Sequence, residues 1–230
     1  MLTYDSAKNI LEKAKNFLQS NQSIWLRRPK GEAMDIFIET ERLILRQFKE
    51  TDAEALSLIC NQKYILKWMP DWEGGVEERR EWIRWIESLY TKANKETARI
   101  MLAVALKENK ELIGMVAIGN KEEVDNEIEI AYFISEDYCN KGYMTEAARA
   151  MVQWTFNTLD LEYLIAIVEI DNFPSQRIVE KCGFTKLGTK RILNSGETEE
   201  KPFYYYRLYN NIRRAKPCID DAGFVIEKKK

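Results

Sequence analysis

The hydrophobic period of the chain changes several times, and each change marks an element. From Asp5 to Asn21, apolar residues fall at Ala7, Ile10, Leu11, Ala14, Phe17 and Leu18, the spacing of an amphipathic helix that Asp5 or Ser6 can cap. Its stripe would lie against the main body, a second subunit or a partner. Polar residues and the cluster Arg27-Arg28-Pro29-Lys30-Gly31 then break the pattern, so residues 1–35 read as a helix and a linker. Phe37 to Phe48 reads as an extended segment ending in a strand. Thr51-Asp52-Ala53-Glu54 carries a capping-box signature for a helix running to about Cys60. The stretch KYILKWMPDWEGG, which holds Pro70, Gly74 and Gly75, reads as a loop. Val76 to about Tyr90 reads as a second helix that buries Trp82, Ile83, Trp85, Ile86 and Leu89.

The period then becomes two. Ala98–Leu106, Glu111–Ile118 and a run ending at Ile134 are joined by short polar connections and predict an antiparallel meander. The third strand places Ile128, Ile130, Tyr132 and Ile134 on one face, passes through Asn140-Lys141-Gly142, and enters a helix from Tyr143 to Leu159. Tyr163–Glu169 follows as a continuously apolar strand, suited to burial on both faces. Because a helix connects these two strands, they are expected to form a parallel, right-handed pair. A short helix, Pro174–Lys181, stops at Cys182-Gly183. Phe184–Ile192 and Phe203–Tyr209 make a hairpin around NSGETEE, and residues 211–230 read as a tail. The expected fold class is α/β (α+β), a mixed and mostly antiparallel sheet of about seven strands with helices on both faces. Residues 36–210 would form its one domain.

Composition narrows the chemistry. At 230 residues and 45% hydrophobic, the chain can bury a sizeable core. With 35 Lys plus Arg against 37 Asp plus Glu, a net charge of −2 steers it toward neither nucleic acid nor an anionic membrane. No run has the length of a membrane span, and MLTYDSAKNILEKAK lacks a signal core, so the expected compartment is the cytoplasm. Cys60, Cys139, Cys182 and Cys218 are widely spaced, which fits reduced thiols better than a disulfide frame or a zinc site. There is no histidine at all. Histidine-dependent nucleophiles and histidine metal sites are thereby removed, no metal is expected, and acid–base work falls to Asp, Glu, Tyr, Ser, Lys, Cys or water.

The strand, glycine turn and helix start between Glu127 and Ala150 form the strongest chemical signal. Unsatisfied N–H groups and the positive end of a helix dipole make such a junction suited to a phosphate or pyrophosphate. Cys139 lies beside that turn, either as a thiolate stabilised by the helix end or as an ordinary thiol.

Four stretches carry a resemblance. TERLILRQF, EIAYFI followed by YCNKGYMTEA, DNFPSQRIVEKCGF, and the order of the strands together resemble the GNAT superfamily of acetyl-CoA-dependent N-acetyltransferases. Within it they are similar to the bacterial ribosomal-protein alanine N-acetyltransferases, over about Phe37 to Asn210. The resemblance implies that the parallel pair splays apart and admits the pantetheine arm of acetyl-CoA. Phe133, Ile134 and Ser135 would then be main-chain partners. Asn140, Lys141, Gly142, Tyr143, Met144 and Thr145 would cradle the pyrophosphate, with Gly142 allowing close backbone approach. Asn172 would bind the cofactor or fix the strand end, its alternative being an Asx turn before Pro174. Two positions of the superfamily's phosphate-loop signature depart from its general pattern: Cys139 stands first and Met144 last. The tyrosine many relatives carry in the short helix is Val179 here.

For the base the resemblance points to Glu129, acting directly or through water, with Glu127 as fallback; a solvated strand-face charge is the alternative. Ser175 is the candidate to protonate the leaving thiolate, unless it only caps its helix or water supplies the proton. The aromatic loop offers Trp68 and Trp72, which either cover the core or wall an acceptor site with Asp71 and Glu73 at its rim. Together with Glu197, Glu199 and Glu200 of the last hairpin, these acids would suit a cationic amine: a protein N-terminus, a polyamine or a small amine. The expected function is acetyl transfer from acetyl-CoA to a primary amine, by a monomer or homodimer. The alternatives are a catalytically silent acyl-CoA-binding module and a nucleotide-binding enzyme, although neither glycine-rich nucleotide motif is present.

Overall fold

The computed structural model describes residues 36–90, 98–193 and 198–210, with the backbone of 218–219 and 225–226. The helix and linker expected in residues 1–35 lie outside the described residues. Phe37–Glu39 (β1) and Leu43–Arg46 (β2) pair antiparallel, so the segment expected to run straight is folded back on itself. Thr40 closes that reversal: its hydroxyl accepts from the Leu43 N–H at 3.0 Å, and its own N–H donates to the Leu43 carbonyl at 2.9 Å. The extra strand raises the main sheet to eight.

A 3-10 turn at Glu50–Asp52 leads into Ala53–Cys60 (α1). The expected capping box is not formed by side chains. Asp52 instead turns back to accept from the Lys49 N–H at 2.8 Å and from both guanidinium ends of Arg46 at 2.7 and 2.8 Å, tying β2 to the start of the helix. The expected loop contains a one-turn helix, Lys63–Leu66 (α2), and a 3-10 turn at Pro70–Trp72, where proline occupies the first turn without losing a bond. Val76–Glu87 (α3) buries Ile83 and Ile86.

Arg99–Leu106 (β3), Leu112–Lys121 (β4) and Glu127–Ile134 (β5) form the meander, followed by the helix Tyr143–Thr158 (α4), the strand Tyr163–Glu169 (β6) and the helix Phe173–Lys181 (α5). Thr185–Ile192 (β7) and Lys201–Tyr209 (β8) complete the sheet, whose order is β1-β2-β3-β4-β5-β6-β8-β7. All its pairings are antiparallel except β5 with β6. The parallel pairing rests on one residue pair, Glu129 with Ile165. Beyond it the strands diverge.

Alternation along β5 assigns the two faces. Phe133 meets Trp72, which in turn meets Trp82 of α3, at ring separations of 5.0 and 5.1 Å. Tyr132, one residue away and therefore on the opposite face, reaches Ser175 of α5. Helices thus cover both faces. Between them the fully buried Leu102, Val104, Ile113, Val116, Ile118 and Leu164 form the core. Cys218–Ile219 (β9) and Val225–Ile226 (β10) form a separate antiparallel pair; the rest of the expected tail lies outside the described residues.

Candidate active site

The divergence of β5 and β6 makes the site. A cavity of about 600 Å³ runs through the gap. Trp68 and Asp71 line it from the face of the aromatic loop, and Met144, Ser175 and Val179 from the face of α4 and α5. The gap is therefore lined from both faces of the sheet. Glu129 stands on its wall, at the last paired position.

The backbone of the gap follows from the strand register. The Ser135 N–H donates to the Ile113 carbonyl at 2.8 Å, and Phe133 pairs with Met115 on β4. Alternation therefore turns the peptide groups of Tyr132 and Ile134 away from β4 and toward the gap. On the other wall, the Ile167 N–H faces the gap and donates to Glu129 Oε1 at 3.2 Å. A strand amide that has lost its ladder partner is thus satisfied by a side chain, as burial requires. Burial pushes the Glu129 carboxyl up to about 7, against the opposing Lys121 charge and the Ile167 N–H; Glu123 adds a smaller upward push.

Glu127, on the same face, is bound differently. Its carboxylate accepts from the hydroxyls of Tyr163 and Tyr205, each at 2.8 Å at its nearest, and from Arg207 at 2.8 Å. It does not line the cavity. Three donors fix it as a structural anchor of the β5-β6-β8 surface.

Helix α4 starts at Gly142, whose φ of 81° is left-handed, as is the 61° of Asn140 two residues earlier. The first bond of the helical ladder runs from the Glu146 N–H to the Gly142 carbonyl at 3.1 Å. The N–H groups of Tyr143, Met144 and Thr145 precede that ladder, at the positive end of a 16-residue helix. Lys141 donates from Nζ to the Asp137 carbonyl at 2.9 Å, which braces the turn. Cys139 turns its thiol toward the Ser135 carbonyl at 3.7 Å, a packing role.

Asn172 caps α5: its Oδ1 accepts from the Ser175 N–H at 3.2 Å. The Ser175 hydroxyl lies 3.0 Å from the hydroxyl of Tyr132, which also donates to the Ser175 carbonyl at 3.1 Å. Burial pushes the Tyr132 phenol far above its ordinary range. Tyr132 escapes sequence reasoning because alternation places it among isoleucines, where an aromatic residue reads as core. Gln62, at the α1–α2 junction, is another residue the sequence hides. Its side chain donates to Ser135 Oγ at 3.0 Å and accepts from the Glu136 N–H at 2.9 Å, pinning the end of β5.

Toward the aromatic loop, Asp71, Glu123, Glu129 and Glu169 line the cavity, and Lys121 pairs with Glu123 at 3.3 Å. Trp72 is not among the lining residues; it packs between Trp82 and Phe133. Glu73 and Glu199 are exposed, Glu200 pairs with Arg191, and Glu197 lies outside the described residues.

Residues 42–185, more than half of the chain, match the acetyltransferase (GNAT) domain family. This chain belongs to the GNAT acetyltransferases. The uncharacterized N-acetyltransferase YoaA of Bacillus subtilis is 30% identical to this acetyltransferase over 67% of the chain and 85% of its own length. A GNAT-family acetyltransferase from Bacillus anthracis superposes with a TM-score of 0.63 at 28% identity, covering 76% of this chain and 98% of its own. A putative ribosomal-protein-serine acetyltransferase from Vibrio cholerae does so at 0.61 and 27%, over 76% and 98%. At the level of the family the protein is an acyltransferase whose acyl donor is acetyl-CoA, and a cavity of about 600 Å³ between its splayed strands has room for reacting groups.

Proposed function

We propose that the protein transfers the acetyl group of acetyl-CoA directly to a cationic primary amine, with residues 36–210 as the catalytic domain and the cytoplasm as its compartment. The observation that carries the reading is Glu129, a carboxyl raised to about 7 on the wall of a cavity lined from both faces of the sheet. The pyrophosphate lies on the main-chain N–H groups of Tyr143 to Thr145 and the turn Asn140 to Gly142. The thioester arm runs into the gap beside Ile134.

The amine enters past Trp68 and Asp71 and gives its proton to Glu129, directly or through one water. Its nitrogen attacks the thioester carbonyl, whose developing oxyanion is met by the Ile134 N–H. The C–S bond then breaks as the nitrogen sheds its second proton; the CoA thiolate takes a proton from the Ser175 hydroxyl, which Tyr132 touches, and the nitrogen's proton, relayed through water, restores that hydroxyl. Asp71 and Glu123 give the acceptor mouth a surplus of negative charge over Lys121, which favours a cationic acceptor. A protein N-terminus is one such amine, and the Vibrio cholerae relative's name gives a precedent for a ribosomal protein as acceptor.

The test is thiol release from acetyl-CoA across a panel of N-terminal peptides, polyamines, small amines and acidic amines. Cationic amines are expected to lead it. An acidic amine such as aspartate as best acceptor overturns the acceptor assignment, and binding of acetyl-CoA with no thiol release across the panel replaces the enzyme by a silent binding module.

A further inference from the structure

Arg42 stands at the mouth of β2, a hundred residues before the turn it touches, and outside every role assigned above. Its Nη1 donates to the Lys141 carbonyl at 3.0 Å, and its guanidinium carbon lies 4.5 Å from the centre of the Tyr143 ring. A Cβ at Gly142 would sit 3.4 Å from its Nη2. The same guanidinium grips Glu146 of α4: Nε and Nη2 each lie 2.7 Å from Oε2, while the Arg42 main-chain N–H donates to Oε1 at 2.9 Å. The Thr40 hydroxyl adds a fourth donor, at 2.6 Å from Oε1. One β-hairpin end therefore holds three positions of the turn and first helical turn at once.

The electrostatics of this contact are specific. Glu146 lies in the first turn of α4, next to the N–H groups proposed for the pyrophosphate. A bare carboxylate there would repel a second anion and compete for the helix dipole. Burial pushes the Glu146 carboxyl up, but the Thr40 hydroxyl, the Arg42 main-chain and side-chain donors and the Arg42 charge together hold it below the ordinary range. It is a carboxylate at neutral pH, and Arg42 neutralises it.

We infer that the Thr40–Arg42–Glu146 clamp is a positioning device for the pyrophosphate half of the donor, setting the turn from Lys141 to Tyr143 and cancelling the one carboxylate at the helix start. This rests on the pyrophosphate assignment above. It confers affinity for the phosphates of acetyl-CoA and is indifferent to the thioester arm. Arg42 itself touches no reacting atom.

Two donors separate these effects: acetyl-CoA, and S-acetylpantetheine, which keeps the thioester arm but has no pyrophosphate. Titration calorimetry gives Kd for the first, and displacement of acetyl-CoA gives it for the second. Arg42→Met is expected to weaken acetyl-CoA binding by about tenfold and to leave S-acetylpantetheine unchanged. Adding Glu146→Gln is expected to recover part of that loss, because no carboxylate is then left unneutralised beside the phosphates. Arg42→Lys, which keeps the charge but not the fork, should fall between wild type and Arg42→Met, and it serves as the measured variant if Arg42→Met fails to fold. Equal losses for both donors, or no loss for acetyl-CoA, overturn the clamp. Wild-type protein that binds S-acetylpantetheine as tightly as acetyl-CoA overturns the pyrophosphate assignment and the clamp together.

Discussion

Glu129 joins two tasks that pull its chemistry in opposite directions. As a hydrogen-bond acceptor it satisfies the Ile167 N–H at the point where the ladder ends, and as a buried acid it is held near about 7. Turnover is therefore expected to rise with pH through about 7 and to level off above it, since the base must be unprotonated. Glu129→Gln should lower kcat by about 10² or more, remove that pH step and leave acetyl-CoA affinity nearly intact. Steady-state rates between pH 5 and 9 check this; an unaltered profile in the variant would take Glu129 out of the chemistry. The raised carboxyl also has a sign for stability. Between the ordinary value of 4.5 and about 7 the unfolded chain releases this proton and the folded chain keeps it, so folding loses stability as pH rises through that window. The cost saturates at about 3 kcal/mol above it. Glu129→Gln should consequently gain stability over wild type at pH 8 and little at pH 4.5, as urea unfolding at the two values would show. Family resemblance points to Glu129 in the sequence, but alternation alone places Glu127 on the same face. What tells them apart is long-range: the partners that occupy Glu127 lie 36 to 80 residues away. Asn172 and Ser175 are legible as a helix start, but the Tyr132 hydroxyl between strand and helix is not.

The longer elements follow their periods. Strands β3, β4, β5 and β6 and helices α3 and α4 stand within a few residues of the spans that alternation and helical spacing predict, because each is long enough to show a period. The hairpin at Thr40 and the single turn of α2 do not, because three or four residues cannot display one. The splay is equally hidden, since a strand sequence carries no mark of where its neighbour leaves it. The shape of the β5 end depends on a close approach from β4. A Cβ at Gly114 would sit 2.3 Å from the Phe133 carbonyl oxygen, so only glycine lets β4 lie against the strand end that faces the gap. Gly114→Ala should destabilise the protein by about 1–3 kcal/mol and weaken acetyl-CoA binding by displacing Phe133 and Ile134. Chemical denaturation and calorimetry read both effects, and a variant with native stability and affinity would show that the strand end yields without consequence.

At the scale of the whole molecule, the sheet is two antiparallel blocks, β1 to β5 and β6 with β8 and β7, joined at one residue pair. Composition and the missing histidines restrict the chemistry to groups such as Glu129 without locating them. Their convergence depends on a crossover that brings residues 129 and 165 together. Acetyl-CoA, by entering the gap, should protect the amides of β6 and its neighbours from hydrogen exchange more than those of β3 and β4; uniform protection would place the donor elsewhere. In mechanical terms the fork is a seam. A load pulling the two blocks apart would meet one main-chain rung and the side-chain bonds of Glu127 and Glu129 there instead of a full ladder, and the thioester arm would be a further stitch across it, so the force needed to part the molecule becomes a gauge of donor occupancy.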